Sequence, residues 1–182
     1  MNKALLTERL RVVPDYPKRG IMFFDVTTLF KDKDCFAEIV DAMYELYKDK
    51  GITCVAGIES RGLVAAAALA HRLGAGFVPV RKPGKLPYST ISEKYSKEYG
   101  FDTIEMHTDS ISSDDVVLIH DDIWATGGTA AAAVSLVKKF NPKGVYVNFI
   151  IDITDIPRTK QISSDVEVTS LLQLREKDYN NI

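Results

Sequence analysis

Two adjacent carboxylates, Asp121 and Asp122, stand near the end of an apolar run. A loop of small residues with two glycines follows at once, giving VVLIHDDIWATGGT over residues 116–129. These residue types suit a ligand with two kinds of polar group. Carboxylates accept hydrogen bonds from vicinal hydroxyls and can hold a metal through water. Glycines let the backbone approach a ligand closely, and a helix N-terminus favours an anion. A phosphate at ATGGT would meet the amides of Thr126, Gly127, Gly128 and Thr129, the two threonine hydroxyls and the helix dipole. A ribose 5-phosphate satisfies both halves, with phosphate on the loop and hydroxyls on the acids. The chain has no G-x-x-x-x-G-K-[ST] loop and no G-x-G-x-x-G fingerprint, so the nucleotide readings tied to those motifs do not apply.

The flanking pattern says how such a loop is held. Apolar residues Phe36, Ile39, Val40, Met43, Leu46 and Tyr47 recur at helical spacing between Asp32 and Lys50. TCVAGI (Thr53 to Ile58) reads as a buried strand. RGLVAAAALAHRLG reads as an alanine-packed helix stopped by Gly74. GFVPVR is a second strand, weakened by Pro79. DVVLIH is a third, Thr129 to Phe140 the next helix, and GVYVNFIIDI a fourth strand. Strands alternating with helices imply an α/β fold with a mostly parallel central sheet covered on both faces. Ligands in such sheets sit beyond the carboxyl ends of the strands, where Asp121 and Asp122 are expected. Residues 82–107 break the rhythm. They are polar, carry Pro83, Gly84, Pro87 and Gly100, and read as a mobile loop or extended hairpin able to fold over the sheet top.

The 182 residues suggest one domain, 1–182. A domain of this size buries roughly 70% of its unfolded surface without disulfide help. The net charge of −2 gives no electrostatic ground for nucleic-acid or membrane binding. Cys35 and Cys54 read as free buried thiols. No apolar run reaches the roughly 18 residues needed to span a membrane. The start MNKALLTERLRVVPD has no uninterrupted apolar stretch, so it does not read as a signal peptide, and a cytoplasmic location is expected.

VVLIHDDIWATGGT resembles the phosphoribosyl-pyrophosphate motif of type I phosphoribosyltransferases. PDYPKRGIMFFDVTTLF (Pro14 to Phe30) resembles the N-terminal signature of the adenine phosphoribosyltransferases. ESRG (59–62), VPVRKPGKLP (78–87), EYG (98–100) and SLLQL (170–174) recur in that family in the same order. The resemblance covers nearly the whole chain and implies a small N-terminal hood over residues 1–30 and a flexible catalytic loop over 82–107. It implies transfer of 5-phosphoribosyl from phosphoribosyl pyrophosphate to adenine, giving AMP and pyrophosphate in purine salvage. Mg²⁺ would be carried by the pyrophosphate rather than bound directly by the protein, and the enzyme would be a homodimer. Asp121, Asp122, Ala125, Thr126, Gly127, Gly128 and Thr129 would hold the ribose and its 5-phosphate. Arg61, Arg81, Lys82 and Lys85 would contact pyrophosphate. Glu98 and Tyr99 would be catalytic, with Glu98 handling a purine proton under a closed loop that excludes water.

For the base, the resemblance implies the segment Gly20 to Asp25, with Ile21, Met22 and Phe23 offering apolar or backbone contacts, and Ile153 as an apolar wall near Asp152. Phe24 departs from the family, which usually carries arginine there. Loss of a multi-donor guanidinium keeps open the same chemistry on hypoxanthine, guanine or xanthine, while Phe24 itself could stack on the base. Trp124 and His120 are further departures, the first a wall or packing residue, the second a core-edge histidine. A non-catalytic regulator that binds the sugar pyrophosphate is the different-class alternative. The presence of Glu98, and an N-terminus too short for a winged helix, count against it.

Overall fold

The protein is described from a computed structural model, which covers residues 1–96 and 100–179. Helix α1 (Lys3–Arg9) leads into strands β1 (Arg11–Pro14) and β2 (Met22–Asp25), which pair antiparallel as a small two-stranded sheet. Next come a one-turn helix α2 (Thr27–Lys31) and the long helix α3 (Lys33–Tyr47). Asp32 caps α3, its carboxylate accepting from the amides of Asp34 and Cys35 and satisfying two otherwise unpaired donors. Strand β3 (Cys54–Ile58), helix α4 (Gly62–Leu73) and strand β4 (Gly76–Val80) follow. Strands β5 (Thr90–Ser96) and β6 (Phe101–His107) pair with each other. Strand β7 (Val116–Trp124), helix α5 (Gly128–Lys138), strand β8 (Gly144–Ile153) and strand β9 (Glu167–Leu174) complete the sheet, and a 3₁₀ turn (Glu176–Tyr179) ends the described chain.

The central sheet has the order β4-β3-β7-β8-β9, with every neighbour parallel. β3 is buried at every position and β7 and β8 over most of theirs, as strands covered on both faces must be. One face packs on α1 to α4 through Leu6, Ile39, Met43, Ala65, Ala66 and Leu69. The other packs on α5 and the β5–β6 pair through Ala133, Leu136, Ile104 and Met106. Pro79 costs nothing because β4 is an edge strand. Within residues 82–107, the described strands β5 and β6 pair antiparallel, as a hairpin requires. Lys139 ties the hairpin to α5 by bonding the Ser92 carbonyl at 2.8 Å and the Glu93 carboxylate at 2.7 Å.

The order of connection creates a cleft. Numbered along the chain, the sheet strands read 2-1-3-4-5, so the chain reverses direction across the sheet between β3 and β7. A parallel sheet opens a crevice at such a switch point, beyond the strand ends. One boundary differs from the sequence reading. β7 does not stop at His120 but continues to Trp124, paired with β8 as far as Asp152. Asp121 and Asp122 therefore lie inside a strand. Their neighbour β3 has already ended at Ile58, which leaves that stretch of β7 facing the crevice.

Candidate active site

The crevice holds a cavity of about 390 Å³. One wall is the β1–β2 segment, contributing Ile21, Met22, Phe23 and Phe24. Another is the turn after β3, contributing Glu59, Ser60 and Arg61. The floor includes Asp121, Asp122, Ile123 and Ala125, while Ile153 and Ile156 come from the end of β8, and Lys82 and Tyr95 from the hairpin side. A second pocket of about 90 Å³ lies in the curl of Thr126, Gly127, Gly128 and Thr129, with Trp124 and Phe149 behind it. The two share Asp121, Ile123, Ala125 and Thr129. All seven residues expected around a ribose 5-phosphate therefore line one cavity or the other.

The small pocket is built by backbone. Gly127 caps α5 at φ 87°, a left-handed conformation that glycine adopts without steric cost. A side chain there would also strike the Lys160 carbonyl, 2.4 Å from an added Cβ. Residues 158–160 brace the loop from behind. The amide of Thr159 donates to the Thr126 carbonyl at 2.9 Å. The Arg158 guanidinium lies 4.2 Å from the Trp124 ring centroid, donates to the Trp124 carbonyl at 3.1 Å and to the Ala125 carbonyl, and pairs with Asp152. Trp124 in turn stacks on Phe149 at 5.3 Å. Arg158 escaped the sequence reading, because two of its partners are backbone carbonyls and the others, Asp152 and the Trp124 ring, meet it only in the fold.

The two acids have different surroundings. Asp122 pairs with Arg61, whose guanidinium also lies 5.0 Å from the Phe23 ring. Asp121 accepts from the Asp122 amide at 2.9 Å and packs against Gly62, where an added Cβ would lie 2.9 Å from its Oδ1. Burial first, and the Asp122 charge second, hold the Asp121 carboxyl well above the usual carboxylate range. His120, one residue earlier, is fully buried, with Nδ1 3.1 Å from the Asn148 side-chain oxygen. Burial lowers its pKa to about 4, so the imidazole is neutral at neutral pH.

The expected pyrophosphate residues divide. Arg61 and Lys82 line the large cavity; Arg81 and Lys85 do not. Arg81 bonds Glu59 at 2.8 Å, and that bond holds the Glu59 carboxyl below its ordinary value. Lys82 pairs with Asp102, and Lys85 is exposed. Phe24 reaches the cavity wall but is 1% exposed, its ring edge-on to Tyr179 at 5.2 Å. Ile153 lines the cavity, while Asp152 is occupied by Arg158. Glu98 and Tyr99 lie outside the described residues. Both cysteines are free and buried, and burial pushes the Cys54 thiol up to about 11.

Comparison with known proteins fits this geometry. The phosphoribosyl transferase domain model matches residues 25–179. An adenine phosphoribosyltransferase of Bacteroides thetaiotaomicron is 56% identical over 174 residues, covering 96% of this chain and 99% of its own. The crystal structure of adenine phosphoribosyltransferase from Rhodothermus marinus superposes with a TM-score of 0.88 at 46% identity, covering 94% of this chain and 97% of that one. The Giardia lamblia enzyme, solved with 9-deazaadenine, gives 0.88 at 34% identity over 95% and 98% of the two chains. With a family model over most of its length and a relative of this identity matched almost end to end, the chain belongs to the phosphoribosyl transferase domain family, among its adenine phosphoribosyltransferases.

Proposed function

We infer that the protein transfers the 5-phosphoribosyl group of phosphoribosyl pyrophosphate to adenine, releasing AMP and pyrophosphate. The observation that carries this reading is the joined pair of cavities. The pocket of about 90 Å³ in the glycine curl suits one phosphate, and the neighbouring space of about 390 Å³ accommodates a ribose and a purine.

Purine N9 attacks C1 of the ribose as the bond from C1 to the pyrophosphate oxygen breaks. The electron pair leaves with pyrophosphate, and the purine proton passes to a base, the role proposed for Glu98. Loop amides at Gly128 and Thr129 hold the 5-phosphate. Asp121 and Asp122 accept from the ribose hydroxyls and face the positive charge that develops at the sugar ring. Arg61 and Lys82 are the cations turned toward the leaving group. Among the described residues, no group of three or more His, Cys, Asp or Glu side chains is arranged to hold a metal ion, and Asp122 and Glu59 are engaged by arginines. Mg²⁺ is proposed to enter as part of the pyrophosphate substrate, where it would offset leaving-group charge.

Arg61, Arg81 and Lys82 are each held by a carboxylate. These pairs keep the cations in place and exchange one anion for another on binding. A cytoplasmic homodimer is part of the same proposal. Val64, Phe77, Tyr88 and Phe101 are exposed apolar or aromatic residues available to a partner subunit.

The test offers adenine, hypoxanthine, guanine and xanthine separately with phosphoribosyl pyrophosphate and Mg²⁺, and measures pyrophosphate and nucleotide. Adenine turnover is expected. Turnover of an oxopurine alone would replace the substrate, and no turnover with any base despite sugar-pyrophosphate binding would favour the regulator.

A further inference from the structure

One carboxylate in the large cavity has no role in the chemistry above. Glu176 lies beyond β9, in the 3₁₀ turn, yet it lines the cavity together with Met22, Ile153 and Ile156. The turn is fixed rather than draped. Asp155 accepts from the amides of Glu176 at 2.9 Å and Lys177 at 3.2 Å, and Thr154 donates its amide to the Leu174 carbonyl at 2.8 Å. Tyr179 packs edge-on against Phe24 of β2, tying the same turn to the hood. Two elements far apart in the chain thus meet at one end of the cavity. Burial raises the Glu176 carboxyl above its ordinary value, and the Met22 backbone amide directed at it opposes that shift.

We propose that Glu176 is a specificity-determining residue whose carboxylate accepts a hydrogen bond from the exocyclic amino group of the purine. The assignment rests on the adenine reading above and deepens it. The Met22 amide is already directed at this carboxylate, so the group the corner offers a base is an acceptor. Adenine presents the complementary group, an amino donor at position 6. Hypoxanthine presents the reverse, an acceptor at O6 and a donor at N1. The ring cannot turn over to exchange them, because N9 must face C1 of the ribose. An oxopurine would therefore set O6 against a carboxylate in an otherwise apolar corner, leaving buried polar groups unpaired. Phe24, which replaces the family's usual arginine, supports this device indirectly by packing on the turn that carries Glu176.

The test compares wild type, Glu176→Ala and Glu176→Gln by steady-state kinetics with adenine and with hypoxanthine. Adenine turnover by the wild type is measured first, and its absence would overturn the substrate reading itself. Given that turnover, Glu176→Ala should lower kcat/KM for adenine roughly 10- to 100-fold, the range for a lost bond to a charged acceptor, with KM for phosphoribosyl pyrophosphate unchanged. Glu176→Gln can accept through its oxygen or donate through its nitrogen. It should retain most adenine activity and lower the adenine-to-hypoxanthine ratio at least about tenfold. An unchanged ratio in both variants, or an equal loss for adenine and the sugar pyrophosphate, would overturn the proposal while leaving the function reading intact.

Discussion

Adjacent residues on a strand point to opposite faces, and Asp121 and Asp122 illustrate the consequence. Asp122 finds a cation, Arg61, while Asp121 meets the backbone of Gly62 and the charge of its neighbour. The unfolded chain gives up the Asp121 proton at the ordinary carboxylate value; the folded chain holds it to higher pH. Folding is therefore penalised progressively as pH rises between the two values. Asp121→Asn removes that penalty and replaces one of the two accepting oxygens proposed for the ribose with a donor. It should raise Tm by about 2–4 °C, the shift for roughly 1 kcal/mol in a chain of this size. The gain should be larger at neutral pH than in mild acid. The same variant should lower kcat/KM for phosphoribosyl pyrophosphate at least about tenfold. Calorimetry at two pH values and initial-rate kinetics check both halves, and a lower Tm with intact kinetics would remove the burial argument. At this scale the sequence was informative about residue type. It showed two acids ahead of a glycine loop, but not which acid would be paired, because Arg61 is brought there by the fold.

At the scale of elements, the loop proposed to hold the phosphate depends on an unrelated segment. β7 and α5 aim it, and residues 158–160 hold its carbonyls from behind. Gly127→Ala tests this support directly. The added methyl meets the Lys160 carbonyl and the backbone must keep a positive φ, so the loop shifts or strains at a cost of about 1–3 kcal/mol. KM for phosphoribosyl pyrophosphate should rise at least about tenfold, Tm should fall by a few °C, and binding of free adenine should hardly change. Titration of each ligand separately would show this, and equal loss of both would mean the whole site had collapsed. The glycine pair, the helix after it and the alternating strands were legible because each follows from local periodicity and turn chemistry. The brace was not, because backbone carbonyls carry no side-chain signature. Nor did the sequence show that β7 runs on to Trp124, since strand length there is set by pairing with β8 rather than by residue type.

For the whole molecule, the crevice joins the hood, the sheet and the hairpin, so a ligand filling it should stabilise all three together. Phosphoribosyl pyrophosphate with Mg²⁺ at about 100 times its Kd should add roughly 2.7 kcal/mol. That corresponds to a Tm increase of about 5–10 °C. Excess chelator should abolish most of the shift, since the metal is proposed to travel with the substrate. A shift that survives chelation would mean the cations of the protein suffice alone. Light scattering at micromolar concentration reports the proposed dimer in the same samples, and a monomer would defeat it.

The amino-acid sequence by itself determined the α/β alternation, the buried parallel strands, the glycine loop with its acids, and a family resemblance running nearly end to end. Those features are local, set by side-chain periodicity, turn residues and short motifs. Only the tertiary structure decided the strand order that opens the crevice between β3 and β7, the choice of Arg61 for Asp122, the neutral burial of His120, and the arrival of Arg158 and Glu176 at the site. Each of these is a contact between segments distant in the chain. Its energy exists only once the chain has closed, so no stretch of sequence carries it alone.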